Sequence, residues 1–115
     1  MSERRIKKIN DLIRDEVGMI IKDEIDFDDD TFVTIVEADT SDTLEHSTIK
    51  ISVFPTNKRK GVIEELKKNI SSIQRRLNKR LVLRKVPKIR FETDESEEKA
   101  SRIEKILDSI KENGL

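Results

Sequence analysis

Apolar residues return every three or four positions through Ile6, Ile9, Ile13, Val17 and Ile20, the period of a helix with one buried face. Leu12 and Met19 widen that stripe, Ser2 is placed to cap the N-terminus, and the helix is predicted to end between Lys22 and Ile25. Beyond the acidic turn Asp26-Phe27-Asp28-Asp29-Asp30 the period shortens to two. Phe32–Ala38 has strand composition, and in Ser47–Phe54 the residues Ile49, Ile51 and Val53 alternate with Lys50, Ser52 and Phe54. The connection from Asp39 to His46 is too short for a helical crossover, so the two strands are predicted to be antiparallel neighbours. Pro55 stops the second strand.

The helical period resumes at Ile63 and Leu66 and continues through Ile70, Ile73, Leu77 and Leu81. Within it Asn69, Ser71 and Ser72 compete for backbone hydrogen bonds and mark the expected bend. Pro87 holds Val86 extended ahead of a third strand, where Ile89 and Phe91 alternate with Lys88 and Arg90. A last helix is predicted from Ser96, with Glu97 and Glu98 in its first turn, to Gly114; its stripe is Ile103, Ile106, Leu107 and Ile110. The expected order is helix, strand, strand, long or broken helix, strand, helix: one α+β domain, with residues 1–95 as its body and 96–115 as its C-terminal helix.

Charge changes the picture more than length does. Charged residues are 42% of a 115-residue chain of zero net charge, a balance compatible with a disordered polyampholyte were the apolar residues not so periodic. The charges are segregated. From Lys67 to Arg90 there are ten basic residues (Lys67, Lys68, Arg75, Arg76, Lys79, Arg80, Arg84, Lys85, Lys88 and Arg90) and no acid. From Asp23 to Ile49 there are ten acids and neither Lys nor Arg, so an electrically dipolar molecule is expected. On the helix, Arg75 with Lys79 and Arg76 with Arg80 are like-charge pairs four residues apart that nothing in the local sequence neutralises. A polyanion would neutralise them, and nucleic-acid phosphate is the commonest. Arg4, Arg5 and Lys8 add a secondary basic group at the start of the first helix, and Lys67 and Lys68 another.

Other chemistry is sparse. Without cysteine there are neither disulfides nor thiolate metal sites, which suits a reducing cytoplasm. No stretch is long and apolar enough for a membrane span or a signal peptide. Asp26–Asp30 has the spacing of a calcium loop, but Thr31 stands where the sharp turn needs glycine and a strand follows, so no metal is expected. The single histidine, His46, is read as a surface turn residue, and no nucleophile elbow or glycine-rich phosphate loop occurs. Neither an enzyme nor a cofactor is expected. Four phenylalanines are the only aromatics, and with Phe91 and Phe32 assigned to the core no base-stacking platform remains. Recognition should rest on phosphates and shape.

The run Leu83-Arg84-Lys85-Val86-Pro87-Lys88-Ile89-Arg90-Phe91, followed by Asp94, resembles the signature of bacterial ribosome-binding factor A. Phe32–Val36, Asp42-Thr43-Leu44 and Ile49–Val53 resemble its strand region, in the same order. The resemblance implies a variant of the type II K-homology (KH) fold, helix-strand-strand-helix-helix-strand. It also implies a non-catalytic factor that binds the small (30S) ribosomal subunit and its 16S rRNA during late maturation, with a link to growth in the cold. The family carries an Ala-x-Gly kink between its second and third helices. Here Asn69-Ile70-Ser71 stands at that position, so both small residues are replaced.

Two functions of different class follow. In the first, Arg75, Arg76, Lys79, Arg80, Arg84, Lys85, Lys88 and Arg90 face rRNA phosphates on the small subunit, with ribosomal proteins or other assembly factors as further partners. In the second, the acidic loop Asp26–Asp30 contacts a basic ribosomal or regulatory protein. The mostly charged helix faces, without a heptad seam, point to a cytoplasmic monomer.

Overall fold

A computed structural model of the chain describes residues 2–94. The helix predicted over 96–115 lies outside the described residues. The order is α1 (Glu3–Glu24), β1 (Phe32–Thr40), β2 (His46–Phe54), a single 3-10 turn (Thr56–Lys58), α2 (Arg59–Lys68), α3 (Ile70–Arg80) and β3 (Lys88–Thr93). Three helices and a three-stranded sheet make an α+β fold, in the order expected above.

Local chemistry sets the ends of α1. The Ser2 hydroxyl accepts from the Arg5 N–H at 3.3 Å, Glu3 lies in the positive first turn and Lys22 in the negative last one. The helix buries Ile9, Ile13, Val17, Ile20 and Ile21. Leu12 and Met19, read as part of that stripe, are 41% and 47% exposed. Both lie beside the buried stripe of α1 and not on it.

β2 is the middle strand, antiparallel to β1 and parallel to β3. Its Ser47, Ile49, Ile51 and Val53 face the helices, so one side of the sheet packs on α1, α2 and α3. The core joins Ile13, Val17 and Ile20 of α1 to Ile49 and Ile51 of β2, Leu66 of α2, Ile73 and Leu77 of α3, and Ile89 and Phe91 of β3. In α2 the buried position is Val62, with Ile63 only half-buried, one residue from the expected stripe. A bulge at Val36 shifts the β1 register between Ile35 and Glu37.

Phe32 is a correction. It pairs in register with Phe54 on the far side of the sheet, and the two are 62% and 67% exposed. Strand parity decides this, because Ile51 and Val53 fix which side of β2 faces the helices and Phe54 must then point the other way.

Helices α2 and α3 are separated at Asn69, whose backbone (φ −101°, ψ 6°) leaves the helical region. The Asn69 N–H donates to the Glu65 and Leu66 carbonyls at 3.2 Å, and its side-chain amide donates to the Glu65 carbonyl at 2.8 Å. One side chain thus closes the end of α2, and α3 starts afresh from the Asn69 carbonyl, which accepts from the Ile73 N–H. The bend expected over Asn69, Ile70 and Ser71 falls on the first of them, without glycine.

Candidate nucleic-acid interface

The stripe Ile73–Leu77 turns one side of α3 into the core and divides its polar residues between two flanks and an outer face. On the flank towards β3, Gln74 donates from its amide to the Pro87 carbonyl (2.9 Å) and accepts from the Ile89 N–H (2.8 Å). It satisfies two backbone groups on the free side of β3 and fixes α3 beside that strand. The result is an open groove of about 450 Å³ lined by Ile70, Ser71, Gln74, Arg75, Asn78 and the start of β3 at Lys88 and Ile89.

The other flank faces α1. Arg76 makes ion pairs with Asp23 (3.0 Å) and Glu24 (3.4 Å), Arg80 with Glu16, and the Ser72 hydroxyl donates to Glu24 at 2.8 Å. The hydrogen bond that Arg76 donates to Asp23, opposed by partial desolvation and aided by the one to Glu24, raises the guanidinium pKa above its ordinary value. Nothing nearby in sequence neutralises these arginines, but acids 53 and 64 positions away do. Half of the basic residues read from α3 therefore clamp two helices together.

The rest divide as follows. Arg75, Lys79, Arg84 and Lys88 are exposed and make no ion pair among the described residues. Lys85 lies 3.9 Å from Glu45, both more than half exposed. Arg90 points from the open side of the sheet and donates to the Thr48 hydroxyl at 2.8 Å. Arg75 and Lys88 line the groove, and Ile70 and Ser71 of the bend form its end. Lys67 and Lys68 are exposed in the last turn of α2. Arg4, Arg5 and Lys8 are exposed in the first turns of α1. That part of α1 approaches the sheet where the Asn10 side chain accepts from the Thr40 N–H, at the end shared by His46 and Lys88.

The expected dipole is less clean than the sequence suggests. Asp26–Asp30 lies at the Phe32–Phe54 end of the sheet, but Asp39, Asp42 and Glu45 follow the β1–β2 hairpin to the opposite end. Sequence reasoning also passed over Gln74, Glu16, Asp23 and Glu24. Gln74 is the one long uncharged polar residue among the bases of α3, and that was its only signal. Among the described residues there is no group of three or more His, Asp or Glu able to hold a metal, and no helix is long and apolar enough to cross a membrane.

Comparison with known proteins gives a family and a fold. A family model for ribosome-binding factor A matches residues 5–107. The ribosome-binding factor A of Prochlorococcus marinus (strain MIT 9301) is 34% identical over 110 residues, covering 93% of this chain and 85% of its own. The crystal structure of ribosome-binding factor A from Thermus thermophilus superposes with a TM-score of 0.65 at 13% identity, over 76% of this chain and 93% of that one. A homology model of the Thermus thermophilus factor, fitted into a cryo-EM map of a 30S complex, superposes at 0.62 with 15% identity, over 75% and 91%. With a family match across most of its length, a relative above 30% identity and the same α+β fold, the chain belongs to the ribosome-binding factor A family.

Proposed function

We propose that this protein binds the small ribosomal subunit in the cytoplasm, as a monomer, and assists late maturation of its 16S rRNA, including processing and assembly in the cold, without catalysing a reaction. The observation that carries the proposal is the groove between α3 and β3, with Arg75 and Lys88 in its lining. Lys79 and Arg84 are further exposed bases, and Arg90 stands on the open side of the sheet. The 30S complex of the Thermus thermophilus factor supports the same partner. Arg75, Lys79, Arg84, Lys88 and Arg90 contact phosphate, Lys85 and the secondary bases Lys67, Lys68, Arg4, Arg5 and Lys8 contribute at the margin, and Arg76 and Arg80 act mainly by holding α1 against α3. Contacts to phosphate position a protein more than they specify sequence, so selectivity comes from the shape of folded rRNA.

Sedimentation with mature and immature small subunits across a salt series tests this reading. Binding that weakens steeply with salt is expected. The Arg75→Glu, Lys79→Glu double variant should bind more weakly and lower the log–log salt slope by about two, roughly one for each phosphate no longer neutralised. Failure of the unaltered protein to bind either subunit at low salt would reject the function. Normal binding by the double variant would reject the surface.

A further inference from the structure

Among the described residues the second edge of the sheet is also without a further strand, and its surroundings differ in charge. β1 has β2 on one side and no strand on the other among the described residues. Along this free side runs a groove of about 880 Å³ between α1 and the first half of β1. Its lining includes Met19, Ile21, Ile25, Phe32, Val33 and Ile35, a mostly apolar set. Met19 is 47% exposed, so apolar surface is presented to solvent at its mouth, while the Phe32 ring turns to the far side of the sheet at the groove's end. Regular pairing of β1 holds from Phe32 to Ile35 and is interrupted by the bulge at Val36, so about four residues of straight edge lie beside the groove.

Beside the Phe32 end stands the turn Asp26–Asp30. Asp26 lines the groove, and Asp28, Asp29 and Asp30 are exposed. Lys58 lies 3.8 Å from Asp28 and 3.9 Å from Asp30, whereas Asp26 and Asp29 make no ion pair among the described residues. These four carboxylates outnumber Lys22 and Lys58, and Arg14, the other cation lining the groove, is already paired with Asp11 and Asp15. They repel nucleic acid and favour a cationic partner.

From this juxtaposition we infer that the α1–β1 edge is a docking site for an extended, basic segment of a partner protein, added to the sheet as a fourth strand. Main-chain hydrogen bonds to the free edge supply the pairing. Alternate apolar side chains enter the groove beside Met19, Val33 and Ile35, and Lys or Arg side chains meet Asp26–Asp30. A short strand flanked by acids refuses acidic or neutral segments and prefers cationic ones. This site does not depend on the RNA surface, because it lies on the opposite edge of the sheet from the α3–β3 groove.

The probe is an eight-residue synthetic peptide alternating Val with Lys, compared with its Val–Glu counterpart and with a scrambled Val–Lys peptide, against the full chain. Backbone amide shifts and fluorescence anisotropy are read together. The expected result is saturable binding of the alternating Val–Lys peptide, with the largest shifts at Thr31–Ile35 and at the Met19 methyl. Asp28→Asn with Asp29→Asn and Asp30→Asn should weaken it by about fivefold to tenfold at low salt. Met19→Gln, a change at an exposed position, should weaken it by about fivefold or more. Subunit binding should stay intact in Met19→Gln, which separates this site from the RNA surface. Equal binding of the Val–Glu or scrambled peptide, shifts confined to α3 and β3, or no saturable binding would overturn the inference. Concentration-dependent dimers in sedimentation that vanish with Met19→Gln would overturn it too, by assigning the edge to a second copy.

Discussion

At the scale of single residues, neighbouring cations on one helix do different work. Arg75 and Lys79 meet solvent, while Arg76 and Arg80, one position further on, meet the acids of α1. A rotation of about 100° per residue is enough to move a side chain from the outer face to the flank. Neutralising the partners is therefore more telling than removing the arginines. In a Glu16→Gln, Asp23→Asn, Glu24→Gln variant, two guanidiniums lose their carboxylates and become available to phosphate. RNA affinity at low salt should rise and the salt slope should steepen by about one to two, while stability falls. Filter binding across a salt series, beside urea unfolding, checks both. Gln74 is a second such residue. Gln74→Ala removes an acceptor and a donor from two backbone groups of the β3 edge and should cost about 1–3 kcal/mol in urea unfolding, at about 0.5–1.5 per hydrogen bond. Gln74→Glu keeps the acceptor for Ile89 but faces the Pro87 carbonyl without a donor, so its cost should be of similar size.

At the scale of elements, the helices are held by stripes whose members differ in value. Leu77 is fully buried in α3, whereas Leu12 is 41% exposed on α1. Leu77→Ala should destabilise by about 2–5 kcal/mol and Leu12→Ala by about 0.5 or less, measured by chemical denaturation. The break between α2 and α3 rests on a hydrogen bond and not on a missing side chain. Asn69 returns its amide to the Glu65 carbonyl and uses its own carbonyl to begin α3. Asn69→Ala should cost about 1 kcal/mol, and the backbone shifts of Ile70 and Ser71, which line the groove, should move with it. A small residue is thus one way to bend this helix, and a side chain that competes for the backbone is another.

At the scale of the molecule, a sheet whose two edges have no further strand among the described residues carries two surfaces of opposite character. The α3–β3 edge is cationic and the α1–β1 edge is apolar with acids at its end. Phe54 and His46 bound β2 and stand eight residues apart, about 26 Å at roughly 3.3 Å per residue, so the Asp26–Asp30 turn lies far from Lys88. Replacing Asp28, Asp29 and Asp30 with Asn should leave subunit binding unchanged or improve it modestly at low salt, an effect that disappears near physiological ionic strength, where the screening length is about 8 Å. Co-sedimentation at two salt concentrations reads this directly. The exposed Phe32–Phe54 pair belongs to the acidic end, so it does not convert the RNA surface into a base-stacking one.

What the sequence determined by itself is whatever depends on neighbours along the chain. The period of Ile9, Ile13, Val17 and Ile20 forces a helix with one buried side, and the alternation of Ile49, Ile51 and Val53 forces a strand with one. The eight-residue Asp39–His46 connection forces an antiparallel pair, and the order of these elements, with the Leu83–Phe91 run, carries the family resemblance. The acid-free basic stretch was equally plain. Which of its members reach solvent was not, because the acids that take Arg76 and Arg80 arrive from α1 only when the helices pack. Phe32 was misplaced for a related reason: a nine-residue strand has no intrinsic inner side until its register with β2 assigns one, and that register sends Phe32 outward beside Phe54. The edges of the sheet, and with them both grooves, exist only in the tertiary structure, since no residue carries in its own identity the absence of a neighbouring strand.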